Sequence, residues 1–292
     1  MTTHHPGDVV GDHVLLSPVH VGGMGEVWHA AGRGDRQEVA VKFLGEALGE
    51  NGVARERLAR EARNLAAVES RHVARMIALG PDHLVLEWIE GESLAEALLH
   101  RSTLPPAEVA RLVGECADGL AAAHLAGVVH RDVKPSNIVL SERGAVLADF
   151  GISQGLGDDR LTDPGRVMGT AEYLAPERIR GAAASPPADV YALGACAFEA
   201  LAGRPPFRAE TPLRTAIAHV EEPVPSLPDG VPAFLRDLVT AMLAKDPAAR
   251  PSALRAGAAA RELLDPNTAP DGPDTLGRES SRSQQSSEED QW

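Results

Sequence analysis

Apolar positions change their rhythm along this chain, and the change divides it. From about residue 14 to residue 89 they come in short β-type runs, at 14–16, 26–29, 39–44, 74–79 and 84–88. One stretch there, 54–68, instead places Leu58, Ala62, Leu65 and Ala66 on a single helical face. Beyond about residue 93 the helical period dominates. Its longest run is 106–126, opened by Pro105-Pro106 and closed by Gly127. Further helices are predicted over 189–202, 212–220, 232–243 and 252–264, mostly separated by Pro and Gly. The middle, 130–176, reads as loop with short β runs at 138–140 and 145–148. The expected fold is therefore α+β and bilobal. A small β-rich N-lobe with one main helix covers about 12–89, and a larger, mostly helical C-lobe covers about 90–264. The crevice between two such lobes is the default ligand site.

Composition narrows the function. The 292 residues carry 28 Lys and Arg against 42 Asp and Glu, a formal charge of −14. An acidic surface repels phosphate backbones, so no nucleic-acid partner is expected. Residues 1–11 read as an N-terminal extension with neither a basic nor an apolar leader pattern. The longest apolar run, 190–198, is too short for a membrane span of roughly 20 residues. Cys116 and Cys196 lie in apolar helical stretches and read as reduced core thiols. A cytoplasmic chain without a membrane span is the resulting expectation. From residue 265 to 292 the composition turns Pro/Gly-rich, then Ser-rich and acidic, which predicts a disordered tail.

Chemistry concentrates at a few places. Val21-Gly22-Gly23-Met24-Gly25-Glu26-Val27 sits between two predicted strands, where glycines let main-chain N–H groups approach a ligand. A plain hairpin turn would look the same. Val39-Ala40-Val41-Lys42 follows, with a lysine ending a buried strand pattern; that is costly unless the lysine is paired or reaches solvent. Glu61, central on the predicted helix, is the candidate partner. Then comes His130-Arg131-Asp132-Val133-Lys134-Pro135-Ser136-Asn137, and after it Asp149-Phe150-Gly151. Asp132 can take a proton from a hydroxyl nucleophile or orient it. Lys134 can neutralise charge on a transferring phosphoryl group. Asn137 and Asp149 offer hard oxygen ligands suited to Mg²⁺.

In these motifs and their order the chain resembles the bacterial Hanks-type (eukaryotic-like) Ser/Thr protein kinases. The series continues with Gly169-Thr170-Ala171-Glu172-Tyr173-Leu174-Ala175-Pro176-Glu177, then Asp189-Val190-Tyr191-Ala192-Leu193-Gly194 and Arg250-Pro251-Ser252. The resemblance covers about residues 12 to 264. It implies a protein-kinase fold and transfer of the γ-phosphate of Mg-ATP to Ser/Thr hydroxyls of protein substrates, with Mn²⁺ as the alternative ion. It implies that Lys42, held by Glu61, contacts the α/β-phosphates. Asp132 is then the base, Lys134 the γ-phosphate contact, and Asn137 and Asp149 the metal ligands. Val21, Gly22, Gly23, Met24 and Gly25 form the lid over the nucleotide. Val27, Ala40 and Val139 sandwich the adenine, Leu86 is the gatekeeper, and main-chain groups of Glu87 and Ile89 bond the adenine edge. Leu65, Met76, His130 and Phe150 stack as a column joining the lobes, anchored by Asp189, and Glu177 pairs with Arg250. Thr170 belongs to the substrate segment. Thr162 is the expected regulatory phosphorylation site and Arg131 its partner; the alternative is that Asp158, Asp159 and Asp163 occupy the Arg131 pocket and make the enzyme constitutively active. A second copy of the chain is a candidate partner for autophosphorylation.

Two positions depart from the family pattern. His20 stands where the family's lid has its first glycine, and Pro18 lies in the expected first strand, where a missing N–H weakens a ladder. They are the only support for the rival reading, a pseudokinase that binds or scaffolds without transfer. A small-molecule phosphotransferase is the third class, against which Thr170 and the Ala175-Pro176-Glu177 segment argue.

Overall fold

The computed structural model describes residues 4–22, 25–44, 52–151, 171–262 and 264. The N-lobe is built on strands β1 (Val9–Val10), β2 (His13–Gly22), β3 (Gly25–Gly32), β4 (Glu38–Phe43), β5 (Met76–Leu79) and β6 (His83–Glu87). They form one antiparallel sheet in the order β1-β2-β3-β4-β6-β5. Helix α1 (Gly52–Ala66) packs against β5 and buries Leu58, Ala62 and Leu65.

Strand alternation decides what this sheet shows to the cleft. Val39, Val41 and Phe43 of β4 share one face with Leu15, Trp28, Ala30 and Val85 and form a separate apolar cluster. Ala40 and Lys42 therefore point the other way, toward the large lobe. Register completes that face: Val27 lies opposite Lys42 and Leu86 opposite Ala40. The segment ahead of β2, expected as an extension, covers the outer cluster. His4 stacks on Phe43 with ring centroids 3.7 Å apart and bonds Glu26 Oε2 at 3.1 Å.

Pro18 is accommodated inside β2. The strand has register irregularities between Leu15 and Ser17 and between Pro18 and His20. The partner on its other side, β1, reaches only His13 and Val14, so the missing N–H of Pro18 falls where β3 is the sole neighbouring strand.

The C-lobe begins with β7 (Glu92–Ser93) and α2 (Leu94–Arg101), the latter opened by a capping box. Ser93 Oγ accepts the Glu96 N–H at 3.2 Å and Glu96 Oε2 accepts the Ser93 N–H at 2.8 Å. Next come α3 (Pro106–Leu125), the hairpin β8 (Ile138–Ser141) and β9 (Gly144–Leu147), and the short α4 (Pro176–Ile179). Helix α5 (Pro186–Ala202) is followed by α6 (Pro212–Glu221), α7 (Ala233–Met242) and α8 (Ala253–Glu262). Strands β7, β8 and β9 form a second small sheet. Helix α5 starts three residues before the sequence expectation. Pro186 and Pro187 occupy its first turn, where no N–H is needed, so they belong to the helix. Its apolar residues, with α3, make the main core, which includes Leu65, Met76 and Phe150 from the cleft side. Cys116 and Cys196 are buried and free. Among the described residues no helix is long and apolar enough to cross a membrane.

Candidate active site

The segment 130–137 crosses the floor of the cleft in a conformation set by its main chain. Asp189, on the first turn of α5 and buried, accepts the His130 N–H at 2.8 Å and the Arg131 N–H at 2.9 Å. His124 Nε2, at the end of α3, bonds the same carboxylate at 2.8 Å. Arg131 takes a positive φ of 72° to bring both N–H groups to one acceptor. His130 is fully buried. Its Nε2 donates to Ala148 O at 3.1 Å and its ring lies 4.2 Å from Phe150. Burial pulls its pKa below the usual range, since it disfavours the charged ring. The Asn137 carbonyl accepts the Ala148 N–H and the His130 carbonyl the Gly151 N–H, both at 2.9 Å, so the segment and residues 148–151 are bonded together.

Three side chains converge on this floor. Lys134 Nζ donates to Asp132 Oδ2 at 2.7 Å. The 3-10 turn Pro135–Asn137 presents the Asn137 amide, whose Nδ2 donates to Asp132 Oδ2 at 3.0 Å and to its carbonyl at 2.8 Å. One carboxylate oxygen of Asp132 is thereby held by two donors. The other, Oδ1, is buried and has no hydrogen-bond partner among the described residues. A buried acceptor left open costs free energy unless a further donor meets it. A hydroxyl group is a donor of the required kind.

Lys42 faces this floor from β4, is buried, and donates to Asp149 Oδ1 and, at 3.4 Å, to the Phe150 carbonyl. Burial on its own would raise the pKa of Asp149. The Lys42 ammonium outweighs it and holds the carboxyl below its ordinary range. Asp149 stays an anion, and the Asn137 amide nitrogen is spent on Asp132, which leaves an amide oxygen, met only by Ser136 Oγ at 3.5 Å, and the second carboxylate oxygen of Asp149 as oxygen ligands. Two hard oxygens are donors of the kind Mg²⁺ prefers. Among the described residues no cluster of three His, Cys, Asp or Glu could hold a metal by itself.

Glu61 is not where the sequence placed it. Its carboxylate forms a two-pronged pair with Arg131, Nη1 to Oε2 and Nη2 to Oε1, both at 3.0 Å. Lys42 lies on Asp149 instead. Arg131, expected as the partner of a phosphorylated Thr162, meets this carboxylate with its guanidinium. A planar guanidinium matches both carboxylate oxygens at once, which an ammonium cannot do.

The rest of the expected site divides by position. Val27, Ala40 and Val139 are half-buried, and Leu86 is buried at the end of β6. Val21 is exposed, and Gly22 and Gly25 form the last pair of the β2–β3 ladder. His20 lies opposite Val27 with its side chain exposed. Leu65, Met76, His130 and Phe150 are all buried. Arg250 pairs with Glu177 through two 2.7 Å bonds and donates also to the carbonyls of Pro187, Ala244 and Lys245, which uses every N–H it has. Gly23, Met24, Thr162 and Thr170 lie outside the described residues.

Two contributors were not singled out from the sequence. His124 is visible only through its bond to Asp189. Arg143, in the β8–β9 turn, bonds the Glu87 carboxylate with Nη1 to Oε1 at 2.7 Å and Nη2 to Oε2 at 3.2 Å. Glu87 N–H is engaged with the Arg75 carbonyl at 2.8 Å.

Comparison with known proteins identifies the family. The family model for the protein kinase domain matches residues 16–261. The serine/threonine-protein kinase drp72 of Corynebacterium efficiens is 38% identical over 249 residues, 82% of this chain and 48% of that protein. PknA of Mycobacterium tuberculosis is 36% identical over 250 residues, again 82% of this chain and 58% of the relative. The chain thus spans about half the length of the curated relatives it matches. The crystal structure of the M. tuberculosis PknI kinase domain superposes with a TM-score of 0.69 at 26% identity, covering 90% of this chain and all of that one. With its motifs gathered about Asp132 and the family model spanning both lobes, the chain belongs to the protein kinase domain family, on its bacterial Ser/Thr branch.

Proposed function

We propose that the chain is an active protein kinase that transfers the γ-phosphate of Mg-ATP to Ser or Thr hydroxyls of protein substrates. The observation that carries this reading is the open, buried Oδ1 of Asp132 beside an Oδ2 already held by Lys134 and Asn137. A substrate hydroxyl donating to Oδ1 is oriented as a nucleophile. As its oxygen bonds to the γ-phosphorus, the bond to the β-phosphate oxygen breaks, ADP departs, and the hydroxyl proton passes to Asp132. Lys134 neutralises charge on the group in flight. Asn137 and Asp149 would hold Mg²⁺, or Mn²⁺ in its place, and an ion held there would offset the phosphate charge. Lys42 would contact the α/β-phosphates.

Val27, Ala40 and Val139 supply the apolar walls for an adenine, beneath the lid of residues 21–25. Because Glu87 N–H is bonded to Arg75, its carbonyl is the group for the adenine edge, with the Ile89 N–H beside it. Glu61 serves catalysis by pairing with Lys42, which requires it to leave Arg131. A phosphate on Thr162 would draw Arg131 away and so complete the site, and Thr170 would meet the substrate hydroxyl's surroundings at Asp132 and Lys134. Use of ATP and reduced thiols supports a cytoplasmic catalytic domain, and encounter of two copies supplies the acceptor for autophosphorylation.

The test is phosphate transfer from radiolabelled ATP to a generic basic protein, with and without Mg²⁺. Asp132→Asn should lower turnover by about 10²–10⁴-fold with its melting temperature unchanged. A folded Asp132→Asn variant that phosphorylates at the wild-type rate would sink the assignment, and a wild type that binds ATP without transfer would make the pseudokinase reading the right one.

A further inference from the structure

The β8–β9 turn lies outside the chemistry just described, yet its ion pair reaches the strand end where the base is to bind. Its shape is imposed from α3. Gly144 takes φ of 104°, and a Cβ there would come within 2.7 Å of both Glu115 carboxylate oxygens. The Glu115 carboxylate accepts the Ala145 N–H at 2.7 Å, and Ser141 Oγ donates to the Gly144 carbonyl at 2.7 Å to close the turn. A glycine at this position lets the turn sit directly on the helix. The neighbouring Arg143 is thereby aimed at the small lobe.

Arg143 meets Glu87 there in the two-pronged pair described above. Glu87 Oε2 also accepts the Arg75 N–H at 3.1 Å, and the Arg143 carbonyl accepts from Arg71 Nη2 at 2.5 Å. The Glu87 side chain is 26% exposed and that of Arg143 34%. Both are shielded enough for geometry to matter and open enough to exchange with water. Burial raises the pKa of Glu87, but Arg143 and the Arg75 N–H together lower it below the ordinary value. The carboxylate is held charged and in one place. A continuous path of bonds runs from α3 through Glu115, the turn and Arg143 to the residue that ends β6.

We propose that Arg143 is a positioning residue for nucleotide binding: by holding the Glu87 carboxylate it fixes the β6 end whose main chain receives the adenine. The inference rests on the kinase reading above and deepens it, because it gives the base subsite a support that lies in the other lobe. Loss of Arg143 frees the Glu87 side chain and lets the strand end settle in several positions. Each bound nucleotide must then select one of them, which weakens affinity without touching the transfer step.

The experiment is direct titration of the purified chain with ATP and with adenosine, alongside steady-state rates. For Arg143→Ala the affinity for both ligands should fall about three- to tenfold, as for loss of a partly exposed two-bond ion pair. The KM for ATP should rise equally, while kcat and the KM for the protein substrate stay within about twofold. Arg143→Lys should recover part of the loss, since it keeps the charge and not the fork. Glu87→Ala should weaken ATP binding too, and the double variant no further than Glu87→Ala alone. Wild-type affinity in Arg143→Ala overturns the inference. So does a loss confined to ATP and absent for adenosine, which would make long-range charge the cause. Additive effects in the double variant overturn it as well. If Arg143→Ala does not fold, wild-type nucleotide affinity in Arg143→Lys counts against the proposal. A wild-type chain that fails to bind ATP condemns the kinase reading itself; one that binds ATP equally well with or without Arg143 condemns only this inference.

Discussion

The catalytic loop and helix α1 stand on opposite sides of one cleft and are held in different ways. The loop is fixed through its main chain: two successive N–H groups on Asp189, and further bonds to residues 148–151. Helix α1 rests on β5 through a greasy face, Leu58, Ala62 and Leu65, and reaches the loop through the side chain of Glu61. Main-chain bonds to a buried acceptor allow one geometry. An apolar face allows small displacements at little cost, and a long charged side chain can follow them to a different partner. The loop is thus arranged around Asp132 already, whereas the Lys42–Glu61 pairing that the family resemblance implies is absent and Arg131 holds the glutamate.

The comparison breaks most decisively at Asp189. Asp189→Ala removes the acceptor for His124, His130 and Arg131 together and leaves buried donors unmet. It should cost about 3–5 kcal/mol of stability, read from denaturant unfolding, and reduce turnover at least about a hundredfold even where the variant is folded. Stability or turnover near the wild-type value would mean that the loop is held by something other than this carboxylate.

The other side of the comparison is sharpened at Arg131. Arg131→Gln keeps the main-chain bond to Asp189 and removes the competing guanidinium, which should move Glu61 toward Lys42. ATP affinity of the unphosphorylated chain should rise about three- to tenfold. Thr162→Ala should slow the wild type and have no effect in the Arg131→Gln background, if a phosphate acts by drawing Arg131 off. Affinity that stays level or falls in Arg131→Gln would mean that Glu61 and Arg131 are not in competition.

What could be read from the sequence follows the same division. Asp132, Lys134 and Asn137 lie within six residues of one another, and a loop that short must bring them together once its ends are fixed. Their grouping was legible, as was Asp149 by its spacing. The shared face of Ala40 and Lys42 follows from strand alternation, which the run Val39-Ala40-Val41-Lys42, apolar up to its last residue, did not display. The Lys42–Glu61 pair was not decidable in this way, because it depends on where a helix sits relative to a strand, and Arg131 offered a second cation. Arg143 and Glu87 are 56 positions apart and Glu115 and Ala145 are 30, so no local pattern links either pair. Helix α2 was missed for a different reason. Its signal, the Ser93–Glu96 capping box, was present, but the helix that follows is only eight residues long and its periodicity is short. The early start of α5 was not legible because Pro186 and Pro187 carry no apolar period, although both suit a first helical turn.

The smallest effect is expected at His20, where the sequence raised doubt about the lid. A side chain in place of glycine restricts φ, which would matter if the strand needed a conformation only glycine adopts. It does not: the positive φ values among the described residues of this hairpin belong to Gly25, and His20 lies in a regular ladder position opposite Val27. Its imidazole is exposed, on the part of β2 just past the irregularity that absorbs Pro18. Two departures from the family pattern therefore flank one register irregularity, and β2 resumes its pairing with β3 from His20 onward. His20→Gly should change ATP affinity by less than about twofold and leave kcat alone, since an exposed side chain with no buried partner contributes little. Titration with ATP checks this. A clear loss of affinity would show that the imidazole meets the phosphates, and a large gain would show that it holds the lid away from them.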